Sequence, residues 1–390
     1  MKLCIYGGSF NPPHVGHAAA IKAAQAALKL DEVRVMPAAT PPHKRLPAGS
    51  PDAEERLALC RLAFEGMDGV TVSDLELRRE GKSYTVDTVR ALLETEPDAE
   101  LYLLIGTDML ATFEEWYCFE EILRHVTLLA TAREDDELET VRAHAEHLRA
   151  AYNARVIVIE TPPLPLSSTQ LRRLLPERHG EAYLAEKVYE RVIQRRLYEA
   201  KPSLDFLREQ SYPFLHPRRV AHVWGCEHEA RRLALRWGAD EMDAAEAGIL
   251  HDITKKFEMR EQLLLSEKYG IINDNLELEN IKLLHAKTGA AMSRDLFGVP
   301  EHIESAIRWH TTARADMTLL EQIIYMADYI EPTREFPGVE RLRALAYEDL
   351  TAAMILGLEM GLEELRERGT EPHPNSLAAL KWFRERGTDA

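Results

Sequence analysis

Two histidines near the start of the chain have the spacing and setting for chemistry on a phosphate group. His14 and His17 follow a pair of glycines and the apolar run Leu3–Tyr6, and they open an alanine-rich stretch. This order predicts a strand, a glycine turn and a helix. Glycines let a phosphate approach the backbone, and the helix N-terminus adds free N–H groups. The pattern indicates that two imidazoles stabilise charge during nucleotidyl transfer, although a glycine pair or a histidine alone is more often structural.

A second group of candidate residues, all of them good metal ligands, is spread over the second half of the chain. Its members are His222, His251, Asp252, His285, His310 and Asp328. Imidazole and carboxylate suit divalent ions, and ligands on successive helices can converge inside a bundle. The adjacent pair His251 and Asp252 puts two ligands on one turn, where Asp252 could bridge two ions. Any one of these histidines is more often a core or surface residue, so the prediction rests on the ordered set.

Length and composition indicate two soluble, globular domains. The 390 residues are too many for one ordinary core, and 45% of them are hydrophobic against 29% charged. The net charge of −17 argues against general binding of nucleic acids, which needs a basic surface. Four widely spaced cysteines without a CxxC pair indicate neither a disulfide framework nor a zinc knuckle. With no signal peptide and no membrane-spanning run, we expect a cytoplasmic protein without a membrane partner.

Strands and helices alternate up to about residue 199 and must position the first group of residues. Five apolar runs predict strands: Leu3–Tyr6, Val33–Met36, Leu101–Ile105, Val126–Thr131 and Val156–Ile159. Such runs separated by helices predict a doubly wound, Rossmann-like α/β domain with a parallel sheet covered on both faces. Ligands bind beyond the carboxyl ends of the strands in these sheets. The polar residues found there are Gly7, Gly8, His43, Lys44, Gly106, Thr107, Asp108, Arg133, Ser167, Ser168 and Thr169.

The second half of the chain has a different pattern. After Lys201 and Pro202, strand-like runs almost vanish, and alanine, leucine, glutamate and arginine recur at helical spacing, as in Glu227–Arg236 and Glu321–Tyr329. We therefore predict an all-α bundle. The expected domains are residues 1–200 and residues 204–390, joined by a short linker.

Two cations complete the predicted first site. Lys44 lies in a proline-rich loop, and Arg172 follows Ser167, whose spacing to Gln170 is that of a helix capping box. Together with the histidine motif, this segment resembles the HxGH nucleotidyltransferase superfamily, whose second signature grips the triphosphate of ATP. The two histidines would neutralise charge on the α- and β-phosphates, while Lys44 and Arg172 hold the leaving pyrophosphate. The alternative for the serine-rich segment is that it only caps a helix.

Three further segments narrow the family: Gly81–Thr88, Gly106–Leu110 and Trp116. They resemble bacterial nicotinate mononucleotide adenylyltransferases, over nearly all of residues 1–198. The resemblance implies that Ser83–Thr85 receives the nicotinate carboxylate and that Trp116 stacks on the pyridine ring. An indole suits a cationic ring, although ordinary packing of Trp116 is the alternative. Asp108 could orient a ribose or a metal, or could cap a helix.

The implied reaction transfers AMP from ATP to nicotinate mononucleotide and releases pyrophosphate, with magnesium entering on ATP. No activated serine, cysteine or lysine is evident, so we expect direct in-line attack with the protein supplying positioning and charge. The predicted substrate-binding residues are Gly7, Gly8, Ser9, Phe10, Ser83, Tyr84, Thr85, Gly106, Asp108, Trp116, Arg133, Ser167, Ser168 and Thr169. The alternative is another adenylyltransferase, such as the enzyme that acts on pantetheine phosphate.

In the second group, the order His, His-Asp, Asp resembles the HD phosphohydrolase superfamily. His285 and His310 add the ligands expected of a two-metal version. The local sequences at residues 251–255, 285–289, 310–312 and 327–334 look like YqeK-type diadenosine tetraphosphate hydrolases, over about residues 204–385. One departure is Ala313, where that family usually has glycine.

This resemblance implies symmetric cleavage of diadenosine tetraphosphate to two ADP by metal-activated water. It implies a divalent metal pair, with iron expected and manganese or cobalt as alternatives, and a homodimer. Asp252 and Lys255 are the candidate catalytic residues. Lys255 and Arg334 are candidate phosphate contacts, with solvated surface charges as the alternative. The second half could instead act on another nucleotide, or bind a nucleotide as a sensor without turnover.

Overall fold

The computed structural model describes residues 1–42, 45–132, 135–160 and 166–387. The chain divides into two units, Met1–Lys201 and Pro202–Ala390. Within the described parts of the chain, no helix is long and apolar enough to cross a membrane.

A six-stranded parallel sheet forms the centre of the first unit. Its strands are β1 (Lys2–Gly8), β2 (Glu32–Pro37), β3 (Val70–Val72), β4 (Glu100–Gly106), β5 (Val126–Ala132) and β6 (Val156–Glu160). They lie in the order β3-β2-β1-β4-β5-β6, and every neighbouring pair is parallel. The register aligns Leu3 of β1 with Leu101 of β4. The predicted doubly wound α/β fold is confirmed.

Two details of the sheet differ from the prediction. Gly7 and Gly8 form no turn, because they are the last residues of β1 and pair in register with Met36 and Pro37 of β2. The sheet also contains β3, which the sequence did not reveal because Val70–Val72 is only three residues long and lies partly exposed at the sheet edge. The glycine pair therefore extends the strand up to the predicted site.

Helices flank the sheet. They are α1 (Val15–Leu28), α2 (Ala53–Ala63), α3 (Thr85–Thr95), α4 (Thr107–Ala111), α5 (Phe119–His125), α6 (Asp135–Tyr152), α7 (Ser168–Leu174) and α8 (Glu186–Gln194). Alternate residues of a strand point to opposite faces, so Leu3 and Ile5 belong to one apolar cluster and Cys4 and Tyr6 to another. Burial on both faces explains why the strands read as continuous apolar runs.

The second unit consists of helices, as predicted. They are α9 (Leu204–Ser211), α10 (Val220–Trp237), α11 (Glu241–Leu250), α12 (Met259–Lys268), α13 (Asn275–Glu279), α14 (Ile281–Phe297), α15 (Glu301–Trp309), α16 (Leu319–Ile330), α17 (Val339–Glu348), α18 (Leu350–Glu367) and α19 (Pro374–Gly387). α10 and α11 cross closely, because a Cβ on Gly248 would lie 2.8 Å from Cα of Glu227. The buried Glu227 carboxylate is bound by the Arg208 guanidinium of α9 through hydrogen bonds of 3.0 and 2.5 Å. The close crossing at Gly248 holds α11 against α10, and two of the predicted ligands follow directly after α11.

Candidate functional site

The two N-terminal histidines stand at the start of α1. Nδ1 of His14, the N-cap, accepts a hydrogen bond from the N–H of Gly16 (3.2 Å), and Nδ1 of His17 accepts one from the N–H of His14 (3.1 Å). The helix thus begins one residue after His14, and the two ring centroids lie 3.9 Å apart. Because Nδ1 accepts in both rings, Nε2 carries the hydrogen when they are neutral. Each Nε2–H is a donor suited to a phosphate oxygen.

The loop between β1 and α1 is held by side chains from a distant segment. The guanidinium of Arg172 donates to the carbonyl of Asn11 (2.5 Å), and the hydroxyl of Ser168 donates to the carbonyl of Pro12 (3.0 Å). Both side chains come from α7, whose N-terminus has the predicted capping box. The second signature segment is therefore bound directly to the first.

Arg56 of α2, which the sequence did not single out, supports the same loop. Its guanidinium donates to the carbonyls of Ser9 (2.8 Å) and Ala39 (3.1 Å) and is almost completely buried. Burial lowers the pKa of Arg56, yet a guanidinium keeps its charge at neutral pH. A buried positive charge therefore lies beside the loop that is predicted to bind phosphate.

One cavity of about 490 Å³ gathers most residues predicted for the first site. Those that line it are Gly7, Gly8, Ser9, Phe10, His14, His17, Ser83, Thr85, Gly106, Asp108, Trp116, Ser167, Ser168, Thr169 and Arg172. Tyr84 is not among the lining residues and packs against Tyr117, with ring centroids 4.8 Å apart. Lys44 and Arg133, together with His43, lie outside the described residues. The carboxyl ends of β1 and β4 and the N-termini of α1 and α7 thus surround one space.

Two residues of this cavity had alternative interpretations. Trp116 lines the cavity and also packs against Phe113, with ring centroids 4.9 Å apart, so packing and access to the cavity coexist. Asp108 is not the cap of α4, because Gly106 is the N-cap and Asp108 lies in the first turn, where it lines the cavity. Both residues stay predicted binding residues.

Glu76 is a cavity residue that the sequence did not reveal. Its carboxylate is 5% exposed and accepts a hydrogen bond from the Thr88 hydroxyl (2.9 Å), which itself accepts one from Arg79. Burial raises the pKa of Glu76 to about 7, and the opposing effects of Thr88 and Arg79 are smaller. This carboxyl group therefore changes its charge near neutral pH, in the same cavity as Ser83.

The second group of predicted residues converges in the helical unit. His222 lies in α10, His251 and Asp252 directly after α11, His285 in α14, His310 directly after α15, and Asp328 in α16. The two carboxylate oxygens of Asp252 divide the four histidines into pairs. Oδ2 lies 3.6 Å from Nε2 of His222 and 3.5 Å from Nε2 of His251. Oδ1 lies 3.1 and 3.6 Å from the Nε2 atoms of His285 and His310. This is the arrangement expected of a carboxylate that bridges two ions.

When the rings are neutral, hydrogen bonds at Nδ1 leave three Nε2 atoms without hydrogen. Nδ1 of His251 donates to the carbonyl of Gly248 and Nδ1 of His310 to that of Ile307, both at 2.7 Å. Nδ1 of His222 donates to a buried glutamate at 2.9 Å. In a neutral ring, Nε2 then offers only its lone pair. Nε2 of His222 and Nε2 of His251 nevertheless lie 3.3 Å apart, where two lone pairs repel unless a proton or a metal ion lies between them. The donor set therefore fits a divalent metal ion.

The pKa directions agree with that fit for two of the histidines but not for His222, where burial lowers the pKa and hydrogen bonds to Asp328 and Glu331 outweigh it and raise the pKa overall. Burial lowers the pKa of His251, and burial together with Lys255 lowers the pKa of His285 to about 3. Both rings are thus neutral, which is the form that binds a metal. Oδ1 of Asp252 is a buried oxygen without a hydrogen bond from the described residues. Such an oxygen suits a ligand of a metal ion.

Cations surround the carboxylates of this site. Arg219, which the sequence did not reveal, donates from Nε to Oδ2 of Asp252 (2.6 Å). Arg334 donates to Oδ1 of Asp328 (2.5 Å), and Nζ of Lys255 lies 3.8 Å from Oδ1 of Asp252. The side chains of Lys255 and Arg334 are only 29% and 33% exposed. The two predicted phosphate contacts therefore lie beside the ligands and are partly buried, and they stay predictions.

Ala313, which stands where the resembled family usually has glycine, has an unusual backbone conformation. Its backbone φ is +56°, in the left-handed region that favours glycine, and the residue is fully buried. For a residue with a Cβ, this conformation is less stable by roughly 1 kcal/mol. Alanine therefore adds backbone strain to the turn that follows His310.

Comparisons with known proteins cover both units. The model of the cytidylyltransferase-like family matches residues 5–174, and the model of the HD domain matches residues 219–333. The probable nicotinate-nucleotide adenylyltransferase of Listeria welshimeri is 34% identical over 200 residues, which are 51% of this chain and 98% of that protein. The probable nicotinate-nucleotide adenylyltransferase of a Synechococcus species is 38% identical over 200 residues, which are 50% of this chain and 94% of that protein.

A solved structure resembles the chain as well. It is a predicted HD superfamily hydrolase involved in NAD metabolism from Clostridium acetobutylicum, with 33% identity and a TM-score of 0.47, and the match covers 48% of this chain and all of that one. The two curated relatives are matched over nearly their whole length at more than 30% identity. The chain therefore belongs to the nicotinate-nucleotide adenylyltransferase family, and it carries an HD domain after the part that shows this membership.

Proposed function

We propose that the first unit, residues 1–200, transfers AMP from ATP to nicotinate mononucleotide, giving nicotinate adenine dinucleotide and pyrophosphate. The observation that carries the proposal is the pair of Nε2–H donors at the start of α1, in the same cavity as the residues that resemble a nicotinate site. The curated relatives are named as enzymes of this type, which supports it.

The side chains around the cavity would act on charge and position. A phosphate oxygen of the mononucleotide would form a bond to the α-phosphorus of ATP while the bond to pyrophosphate breaks. His14 and His17 would donate to the α- and β-phosphate oxygens on which negative charge develops. Arg172 would bind the departing pyrophosphate together with Lys44, and the buried charge of Arg56 would favour the same anions. Magnesium bound to ATP would add to this stabilisation.

A substrate panel tests the proposal. ATP is offered with nicotinate mononucleotide, nicotinamide mononucleotide or pantetheine phosphate, and pyrophosphate release is measured. We expect the nicotinate substrate to be preferred, and Trp116→Ala to raise its KM while the KM for ATP stays within about twofold, because stacking acts only on the pyridine ring. Trp224→Ala, at a 53% exposed position of the second unit, is the matched control. Turnover with pantetheine phosphate alone would assign the unit to a different adenylyltransferase.

We further propose that the second unit, residues 204–390, is a metal-dependent hydrolase that cleaves diadenosine tetraphosphate symmetrically to two ADP. The observation that carries this proposal is Asp252, whose two oxygens face two separate histidine pairs. The match to an HD domain supports it.

The ligands would form two sets that share Asp252. One set is His222, His251, Asp252 and Asp328, and the other is Asp252, His285 and His310. Bound divalent ions would supply an activated water and neutralise charge on the phosphate that is attacked. Iron, manganese and cobalt all suit imidazole and carboxylate donors. Arg219, Lys255 and Arg334 lie beside these carboxylates and would bind phosphate oxygens of the substrate.

Product analysis tests this second proposal. Metal-replete protein is given diadenosine tetraphosphate, with His251→Ala as the test variant and His302→Ala, a half-exposed histidine, as the matched control. We expect ADP as the sole product in the wild type and the control, and none in His251→Ala. ATP with AMP would contradict symmetric cleavage. Binding without cleavage would make the unit a sensor, and cleavage that survives in His251→Ala would place the reaction elsewhere.

A further inference from the structure

The buried carboxylate of Glu331 forms a hydrogen bond with His222, one of the proposed metal ligands. Glu331 directly follows α16, is 0% exposed, and accepts at Oε1 the hydrogen bond from Nδ1 of His222 (2.9 Å). His222 differs in this from His251 and His310, whose Nδ1 atoms bond to backbone carbonyls. A backbone carbonyl is fixed by its helix, whereas a glutamate side chain must itself be held in place.

Thr333 holds this carboxylate. Its backbone N–H donates to Oε2 of Glu331 (2.7 Å), and its hydroxyl donates to Oε1 (2.5 Å). Three hydrogen-bond donors therefore converge on Glu331. Only an acceptor on both oxygens satisfies them, and an ionised carboxylate is the one side-chain group of this size that meets that demand. A glutamine would turn its NH2 group toward either the N–H of Thr333 or Nδ1 of His222.

Gly225 makes room for the same carboxylate. It lies one helical turn after His222 in α10, and a Cβ built on it would lie 2.5 Å from Oε2 of Glu331. Real Cβ atoms do not approach an oxygen so closely, so an alanine here would displace the carboxylate from its three donors. Glycine weakens a helix interior relative to alanine, which means that the position gives up helix stability for this space.

We propose that Glu331 is a positioning residue that fixes His222 as the Nδ1–H tautomer and directs its Nε2 lone pair to the metal, and that Gly225 provides the space this requires. The proposal rests on the metal site proposed above. Nothing in the sequence pairs these residues, since Glu331 and His222 are 109 positions apart.

The experiment combines Mn²⁺ titration of the full chain with ¹⁵N NMR of its histidine rings in the metal-free state. We expect Glu331→Gln to weaken binding of Mn²⁺ alone by about 10- to 100-fold, as loss of a hydrogen-bond partner of a ligating histidine typically does. In Glu331→Ala, which removes both acceptor oxygens, the ring signals of His222 should also move from the Nδ1–H toward the Nε2–H tautomer. Unchanged affinity together with an unchanged tautomer would overturn the proposal.

Gly225→Ala is the second, independent arm, with Gly361→Ala as its matched control. Gly361 is also inside a helix, but its nearest neighbour would be 3.8 Å from an added Cβ, so that variant should bind Mn²⁺ normally. Gly225→Ala should weaken Mn²⁺ binding as much as Glu331→Gln does. In a Glu331→Ala background, Gly225→Ala should cause no further loss of Mn²⁺ affinity. Additive losses would show that Gly225 acts by another route.

The two readouts separate this proposal from the metal site on which it rests. A wild-type chain that binds no divalent ion would refute the metal site, while the tautomer of His222 in the metal-free variants would still test Glu331. A wild-type chain that binds Mn²⁺ only as tightly as Glu331→Gln does, with an unchanged tautomer of His222 in the variants, would refute the positioning role alone.

Discussion

Histidine Nδ1 atoms accept hydrogen bonds in the first unit and donate them in the second. The difference follows from the end of the helix at which each ring lies. His14 and His17 lie at a helix start, where backbone N–H groups lack partners, and their Nδ1 atoms accept from such groups. His251 and His310 lie at helix ends, where carbonyls lack partners, and their Nδ1 atoms donate to them. The first arrangement leaves Nε2 as a donor for an anion, and the second leaves a lone pair for a cation. The polarity of the helix end thus selects the kind of ligand that an imidazole can bind.

The largest expected effect comes from removing a donor in the first unit. His17→Ala should lower kcat of adenylyl transfer by about 10²- to 10³-fold, as loss of one charge-stabilising donor does. His17→Gln should retain part of that rate, because its amide N–H can donate from near the Nε2 position. Steady-state kinetics of both variants check this, with hydrolysis by the second unit as an internal control. Equal rates for the two variants would show that the Nε2–H donor is not what His17 contributes.

A second comparison concerns two buried carboxylates. Asp252 of the second unit accepts a hydrogen bond of 2.6 Å from Arg219, whereas the guanidinium of Arg79 lies 4.0 Å from Glu76 of the first unit, and burial raises the pKa of Glu76 to about 7. Its folded pKa is higher than the usual 4.5, so ionisation opposes folding. This cost is absent below about pH 4, grows through the interval between the two values, and is complete above pH 7. Glu76→Gln should therefore leave stability unchanged at pH 4 and raise it by up to about 3 kcal/mol at pH 8.

Urea unfolding of wild type and Glu76→Gln across this pH range measures the difference. Glu80→Gln, on an exposed side chain of the same segment, is the matched control and should show no such trend. A stability difference that does not depend on pH would mean that Glu76 ionises as it does in the unfolded chain.

The smallest expected effect separates backbone strain from chemistry in the second unit. Ala313→Gly removes a Cβ from a residue with φ of +56°, which relieves roughly 1 kcal/mol of strain, while the added freedom of the unfolded chain offsets part of it. We expect a net gain below about 1 kcal/mol with unchanged Mn²⁺ affinity. Thermal unfolding and metal titration check the two halves of this expectation. Weaker metal binding would show that the alanine itself shapes the site.

Much of the fold could be predicted because its signals are local. The central strands are buried on both faces and read as apolar runs, and the helical half shows its spacing directly. Val70–Val72 escaped prediction because three half-exposed residues carry no pattern. The glycine pair was wrongly predicted as a turn, since only pairing with β2 shows that both glycines are extended.

Some residues of the candidate sites could likewise be predicted from local signals, and others could not. Residues that lie just after strands could be predicted to share one cavity, because the carboxyl ends of parallel strands meet at one edge. The residues that hold the site in place by hydrogen bonds could not be predicted. Arg56 binds a carbonyl 47 positions away, and Arg219 binds a carboxylate 33 positions away. Such contacts depend on tertiary packing, and a single sequence holds no periodicity that reveals them.

The position of Asp252 between two histidine pairs has a consequence for how the helical site can change. One side chain serves both pairs, so a rotation that withdraws Oδ2 from His222 and His251 also moves Oδ1 away from His285 and His310. In the metal site proposed above, occupancy of one half would thereby be coupled to that of the other. That centre would assemble and fail as a whole, and substitutions on either side of Asp252 should show strong epistasis with each other.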